Sequence, residues 1–282
     1  MRTKKYLRII PLVFLLLTVT ACANQPAAEP EVQEVGLINP MGPAVIPVAG
    51  LLSGDISGDV NINLQFWKSA DEAIGFLSAD ETEFAVLPIT SGVNMTAAGL
   101  DLTLLGVHEW KVFYLIASEE SQFSDWNSLT GKTVYTPGAK GQTVDVLTRY
   151  ALLNEGITPD EEVAFAYAPG AEIVALFKEG KVDYAALPEP FVTQALASSN
   201  GCIVMDYQEY WTEVSGGQDG IPIAGLFVKS DFLSEHPETV NQVVDLLAES
   251  TKWANENADA AVSAASEVLP LPSDIMIVAL QR

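Results

Sequence analysis

Histidine, cysteine and arginine are nearly missing from this chain of 282 residues, and each shortage removes a class of chemistry. The two histidines, His108 and His236, lie far apart, and His236 stands in a Glu-His-Pro helix entry where capping accounts for it. There is no HExxH pair, no Cys/His cluster and no Ser–His–Asp spacing. Neither a metal centre, a cofactor nor a His-based catalytic unit is therefore expected. Two cysteines, Cys22 and Cys202, supply no disulfide framework. Cys202 opens the apolar run 202–205 and is expected as a buried strand thiol. Cations are scarce as well, with 14 Lys and Arg against 37 Asp and Glu. Four of those cations fall within the first eight residues, so the rest of the chain carries a net charge of −27. Such a body repels nucleic acid and anionic membrane surfaces, since both need a basic footprint. No apolar run reaches the roughly 20 residues that span a bilayer.

What is present begins at the N-terminus. Arg2, Lys4, Lys5 and Arg8 precede a largely apolar stretch, 9–19, followed by Thr20, Ala21 and Cys22. A basic start, a short apolar core and small residues before a cleavage point describe a secretory signal. The placement of Cys22 after Val19-Thr20-Ala21 resembles the lipobox of bacterial lipoproteins, in which that cysteine is acylated and becomes the new N-terminus. The expectation is a signal peptide over 1–21, a lipid anchor at Cys22 and a flexible tether over 22–34, which has no apolar period. The folded part would then work at the extracytoplasmic face of the cell membrane.

From residue 35 onward, short apolar runs alternate with amphipathic stretches. Strands are expected at 35–38, 60–66, 84–88, 102–107 and 113–117, then at 133–135, 163–167, 184–187, 203–205 and 223–228. Helices are expected at 44–52, from Ser69 as N-cap through 77, and at 91–98, 142–154, 171–179, 190–198, 237–257 and 258–268. The segment 206–222 reads as a Gly- and Trp-bearing loop. Strands alternating with helices indicate an α/β fold on mostly parallel sheets, where ligands sit at the carboxyl ends of strands.

Two local patterns look alike, 78–87 closed by Pro88-Ile89-Thr90 and 177–187 closed by Pro188-Glu189-Pro190. With Leu129-Thr130-Gly131-Lys132-Thr133-Val134 and the run 232–240, they resemble the type II periplasmic binding proteins. The closest likeness is to the NMT1-like family serving ABC importers of nitrate, sulfonates, taurine and thiamine pyrimidine precursors, over roughly 35–268. That resemblance implies two α/β lobes, each a mostly parallel sheet flanked by helices, joined by a two-strand hinge and closing on a small solute. It implies a monomer that delivers the solute to an ABC permease. The lobes are expected at 35–117 with 224–282, and at 118–207, with 208–223 as the return segment. The chain ends within an apolar run, 275–280, where family members usually continue, so a truncated C-terminus with a poorly anchored last helix is also expected.

Four loops at strand ends are the candidate ligand contacts. The first, 136–143, feeds a strand into a helix through two glycines, and Thr136, Gly138, Gly141, Gln142 and Thr143 offer donors at a helix start suited to an anion or polar oxygen. The second contributes Thr90 and Ser91, and the third Asn39, Met41 and Gly42. In the fourth, Glu189 faces a cationic or hydrogen-bonding group. Trp67, Trp110 and Trp211 are candidates for an aromatic wall, with Trp110 placed to cap the cleft. The one internal arginine, Arg149, falls mid-helix, which disfavours a strongly anionic ligand held by guanidinium forks. Two other classes remain open: an enzyme on the same fold, resembling the thiamine pyrimidine synthases but without their cysteine-rich stretch, and a tethered sensor module.

Overall fold

The alternating runs form two five-stranded sheets, each with helices on both faces. The structure is a computed structural model that describes residues 33–281 apart from 198, 218–219 and 270. The expected signal peptide, the lipid-bearing Cys22 and all but the last two residues of the tether lie outside the described residues. The first sheet contains β1 (Gln33–Pro40), β2 (Val60–Trp67), β3 (Phe84–Pro88), β4 (Leu102–Glu109) and β10 (Ala224–Lys229), in the order β2-β1-β3-β10-β4. The second contains β5 (Phe113–Ala117), β6 (Thr133–Pro137), β7 (Ala164–Ala168), β8 (Tyr184–Pro188) and β9 (Cys202–Asp206), in the order β7-β6-β8-β5-β9.

In each sheet one strand runs against the rest. β10 is antiparallel to β3 and β4, and β5 is antiparallel to β8 and β9. The central strands β3 and β8 have neighbours on both edges and helices on both faces. They therefore read as unbroken apolar runs, with Phe84, Leu87, Ala185 and Leu187 wholly buried. β2 lies at an edge and alternates polar with apolar residues instead.

Helices α1 (Ala49–Ser53), α2 (Ala70–Ser78), α3 (Ile89–Ala97), α8 (Ser230–Glu235), α9 (Pro237–Glu256), α10 (Ala258–Ala265) and α11 (Ser273–Gln281) accompany the first sheet in sequence. The second sheet is accompanied by α4 (Thr143–Asn154), α5 (Gly170–Lys178), α6 (Phe191–Leu196) and α7 (Tyr207–Val214). Local signals set their starts. Ser69 accepts the Glu72 N–H at 3.2 Å while Glu72 Oε2 accepts the Lys68 N–H at 2.8 Å, which closes the first turn of α2. Pro237 opens α9, where its missing N–H leaves no bond unmade.

Several expectations need correction. The strand 113–117 belongs to the second sheet, so the chain crosses over at 110–112 and not after 117. β1 begins at Gln33, inside the segment read as a tether, because Gln33 and Glu34 pair with Val60 and Asn61 and Thr239 donates to Gln33 Oε1 at 2.6 Å. The stretch 44–52 splits into a 3-10 turn, Pro43–Val45, and the short α1. The supposed loop after β9 is the helix α7, capped by Asp206 through the Gln208 N–H at 2.8 Å and anchored by buried Tyr207 and Tyr210. Cys202 is exposed, because β9 is an edge strand and Cys202 is its first residue.

Two glycines test this packing with the same chemical change. A Cβ at Gly92 in α3 would collide with the buried Phe227 ring, whereas at exposed Gly75 in α2 it would meet nothing within 4 Å. Gly92→Ala should cost about 1–3 kcal/mol in urea unfolding through overpacking. Gly75→Ala should add roughly 0.5–1 kcal/mol through helix propensity.

Candidate functional site

Four parallel strands end on a proline: β1 at Pro40, β3 at Pro88, β6 at Pro137 and β8 at Pro188. Proline withholds the N–H that would extend a ladder, so it suits the last position of a strand. All four prolines, two from each sheet, border one cavity of about 540 Å³. Its floor is the pair of segments joining the sheets, represented by Glu109, Val112, Phe113, Ile223 and Ala224, and its walls include Met41, Gly42, Trp67, Lys68, Ser91, Gly138, Ala139, Gln142 and Thr143. This volume falls in the range of small-molecule sites, and the lining is mainly apolar with a few polar groups.

The candidates from sequence divide. Met41, Gly42, Ser91, Gly138, Gln142 and Thr143 line the cavity, and a Cβ at Gly42 would meet nothing within 4 Å, so its backbone faces open space. Thr90, Ser91, Gln142 and Thr143 come together, but onto one another. Thr90 Oγ1 and Thr143 Oγ1 are 3.0 Å apart, and Ser91 Oγ donates to Gln142 Oε1 at 3.2 Å. The starts of α3 and α4 thus meet across the gap between the sheets. Asn39 is buried and donates to the carbonyls of Pro40 and Ala44 at 3.0 and 3.1 Å, which shapes the loop after β1. Thr136 is wholly buried, its hydroxyl without a partner among the described residues, and Gly141 lies beside the lining at a φ of 89°.

Glu189 and Trp110 line a second cavity of about 230 Å³, behind the crossing segments and beneath α11. Both carboxylate oxygens of Glu189 are engaged by Thr193, through its N–H at 3.0 Å and its hydroxyl at 3.1 Å. Of the aromatic candidates, Trp67 lines the large cavity, and Trp211 packs on Tyr150 instead.

Arg149 is occupied too. It bonds Asp145 at 2.8 Å and Asp160 at 2.8 and 2.9 Å, reaches the Tyr167 hydroxyl at 2.8 Å, and lies 4.1 Å over the Phe165 ring. Asp145, fully buried, also accepts the Gly141 N–H at 2.7 Å and the Tyr167 hydroxyl at 2.9 Å. The lone internal guanidinium therefore holds the glycine loop bordering the cavity through Asp145, which takes the Gly141 N–H, and through exposed Asp160, which takes Lys140 at 2.8 Å.

Two residues that sequence reading left in a loop, His108 and Glu109, close β4. Burial pushes the His108 imidazole down to about 4, and neither ring nitrogen has a partner among the described residues. Burial pushes the Glu109 carboxyl up to about 7, and it borders both cavities. The hidden signal was the length of β4: once the strand runs to Glu109, its end falls on the cavity floor.

Residues 87–268 match the model of the NMT1-like family. A nitrate/nitrite binding protein, NrtA of Nostoc sp., is 24% identical over 116 residues, which covers 41% of this chain and 25% of that protein. The chain thus spans about a quarter of that relative's length. Among solved structures, the periplasmic aliphatic sulphonate binding protein SsuA of Escherichia coli is similar at a TM-score of 0.73 and 18% identity, over 88% of this chain and 78% of that one. The periplasmic nitrate-binding protein NrtA of Synechocystis is similar at 0.72 and 16%, over 88% and 69%. Identities this low establish a shared fold.

The site makes two predictions. Arg149→Met leaves Asp145 buried without its cation and should cost about 3–5 kcal/mol in denaturant unfolding, with faster amide exchange at Gly141. Glu109 binds its proton more tightly folded than unfolded, so its contribution to stability is full below about 4.5 and is lost as pH rises through about 7. Glu109→Gln should therefore raise the melting temperature at pH 8 and leave it nearly unchanged at pH 4.5.

Proposed function

The chain belongs to the NMT1-like family, and on that premise we propose that it is an extracytoplasmic solute receptor of an ABC importer. It captures a small solute between two lobes and hands it to a membrane permease, binding without converting it. The observation that carries this reading is the 540 Å³ cavity bordered by strand-ending prolines from both sheets. Such a position, outside the carboxyl ends of parallel strands, is where open α/β sheets take ligands.

Each sheet with its helices serves as a lobe, and the crossings at 110–112 and just before Ala224 serve as the hinge. Met41, Gly42, Ser91, Gly138, Gln142 and Thr143 contact the solute from the cavity wall, joined by Trp67 and Ala139. Thr90, paired with Thr143, acts in closure. Asn39, Thr136 and Gly141 shape the loops, while Trp110 and Glu189 belong to the rear cavity. Acylation of Cys22, with 1–21 removed and the tether as spacer, would hold this monomer beside its permease. A protein carrying −27 beyond its signal does not adhere to anionic lipid and needs an anchor to remain near the membrane.

Native mass spectrometry of the gently purified protein should show one small molecule bound per chain, released on denaturation. Ala139→Trp places a large side chain in the cavity from an exposed position and should abolish that adduct without lowering the melting temperature. Retention of the adduct in this variant would place the ligand elsewhere.

A further inference from the structure

We infer that Glu109 is the ligand-selecting group of the cavity, and that it selects a small solute whose largely apolar body carries a protonated or strongly hydrogen-donating nitrogen. This rests on the receptor reading above and names the solute class. The carboxyl group stands at the end of β4 on the cavity floor, where the two sheets are joined, and it borders both the large cavity and the one behind it. Its own main-chain oxygen is fixed by the Ile223 N–H at 2.9 Å, so the side chain projects from a backbone tied to β10 and the return crossing. Among the described residues that carboxyl group has no hydrogen bond and no ion pair. Glu109 is half-buried at the cavity wall, where partial loss of water disfavours its charged form, and a donor supplied by the ligand offsets that cost.

The surrounding charges leave this role to Glu109. From its own strand and crossing, His108 is neutral at physiological pH, and Lys111 is neutralised by Asp206 at 2.8 Å. From the loop after β2, Lys68 and Asp71 have opposite signs, and both are exposed. Beyond β8, Glu189 is engaged by Thr193. No arginine lines the cavity among the described residues. An anion entering here would meet one solvated lysine, a screened interaction, and would lie against a carboxyl group in a setting of lower dielectric. Pro40, Met41, Trp67, Val112, Phe113 and Pro188 offer the apolar surface for the rest of the solute.

The sign of the pH dependence tests the assignment. A cationic solute prefers ionised Glu109, so its affinity should rise as pH passes through about 7, while an anion should bind best with that group protonated. The probes are ethylammonium and benzylammonium, set against ethanesulfonate and benzenesulfonate, with the intact protein in calorimetry from pH 5.5 to 8. Expected is binding of an ammonium probe whose affinity climbs about 30-fold over that range, the change in ionised fraction for a group titrating near 7. In Glu109→Gln the affinity should fall at pH 8 and the pH dependence should vanish, with Ser91→Ala as a cavity variant that keeps the slope. Tighter binding of a sulfonate, with affinity falling as pH rises, would overturn the inference and leave the receptor reading standing. Binding of none of the four by protein that still carries a co-purified small molecule in native mass spectrometry would overturn the inference alone, and absence of that adduct as well would overturn the receptor reading with it.

Discussion

Everything in this protein depends on two short segments that cross side by side between the sheets. The outward crossing, 110–112, and the return, just before Ala224, are tied at their margins by main-chain bonds. Ile223 N–H reaches the Glu109 carbonyl at 2.9 Å, Ile89 N–H reaches the Ile223 carbonyl at 2.9 Å, and Glu189 N–H reaches the Val112 carbonyl at 2.8 Å. These bonds satisfy backbone groups that would otherwise lie buried and unpaired where two sheets approach. They also place one antiparallel strand beside each central strand, β10 against β3 and β5 against β8. The cavity exists because four parallel strands stop at prolines on either side of this join.

The polar groups near the join follow one pattern: nearly every side chain that could serve a ligand already serves the protein. Hydroxyls of Thr90 and Thr143 meet each other, Asn39 shapes its own loop, Glu189 fastens the first turn of α6, and Arg149 supports the loop containing Gly138 and Gly141 through Asp145. Among the described residues, the buried polar atoms that stay unpartnered are a short set that includes those of Thr136, Trp67 and His108, and the half-buried Glu109 carboxyl also makes no bond. Recognition chemistry is therefore set less by the residue types at strand ends than by which of them are left without a bond.

That distinction explains how far the sequence could be read. The unbroken apolar runs of β3 and β8, the alternation of β2 and the Ser69 cap each have a local cause, and each was legible. So was the family, from the paired strand–proline motifs. The sheet membership of residues 113–117 was not, because a strand's partner depends on where the chain turns three residues earlier, and no local pattern encodes it. Helix α7 was missed because its anchors, Tyr207 and Tyr210, are aromatic residues amid Gly and polar neighbours, and its apolar face has meaning only against the second sheet. Cys202 looked buried by its neighbours and is exposed by its position at an edge. The loops bordering the cavity were found; the floor residue Glu109 and the Asp145–Arg149 support were not, since both arise from long-range packing.

The exchange of strands between the sheets imposes an order on the chain as it leaves the ribosome. All five strands of the second sheet lie within 113–206, an uninterrupted stretch, so that half can close its ladder as soon as β9 emerges. The first sheet has four of its strands by Glu109, yet β3 and β4 are joined only through β10, which begins at Ala224, more than a hundred residues later. The half made first is thus the half completed last. Until β10 arrives, β3 and β4 present open edges to the solvent, and the growing chain carries an apolar, unpaired seam through much of its synthesis.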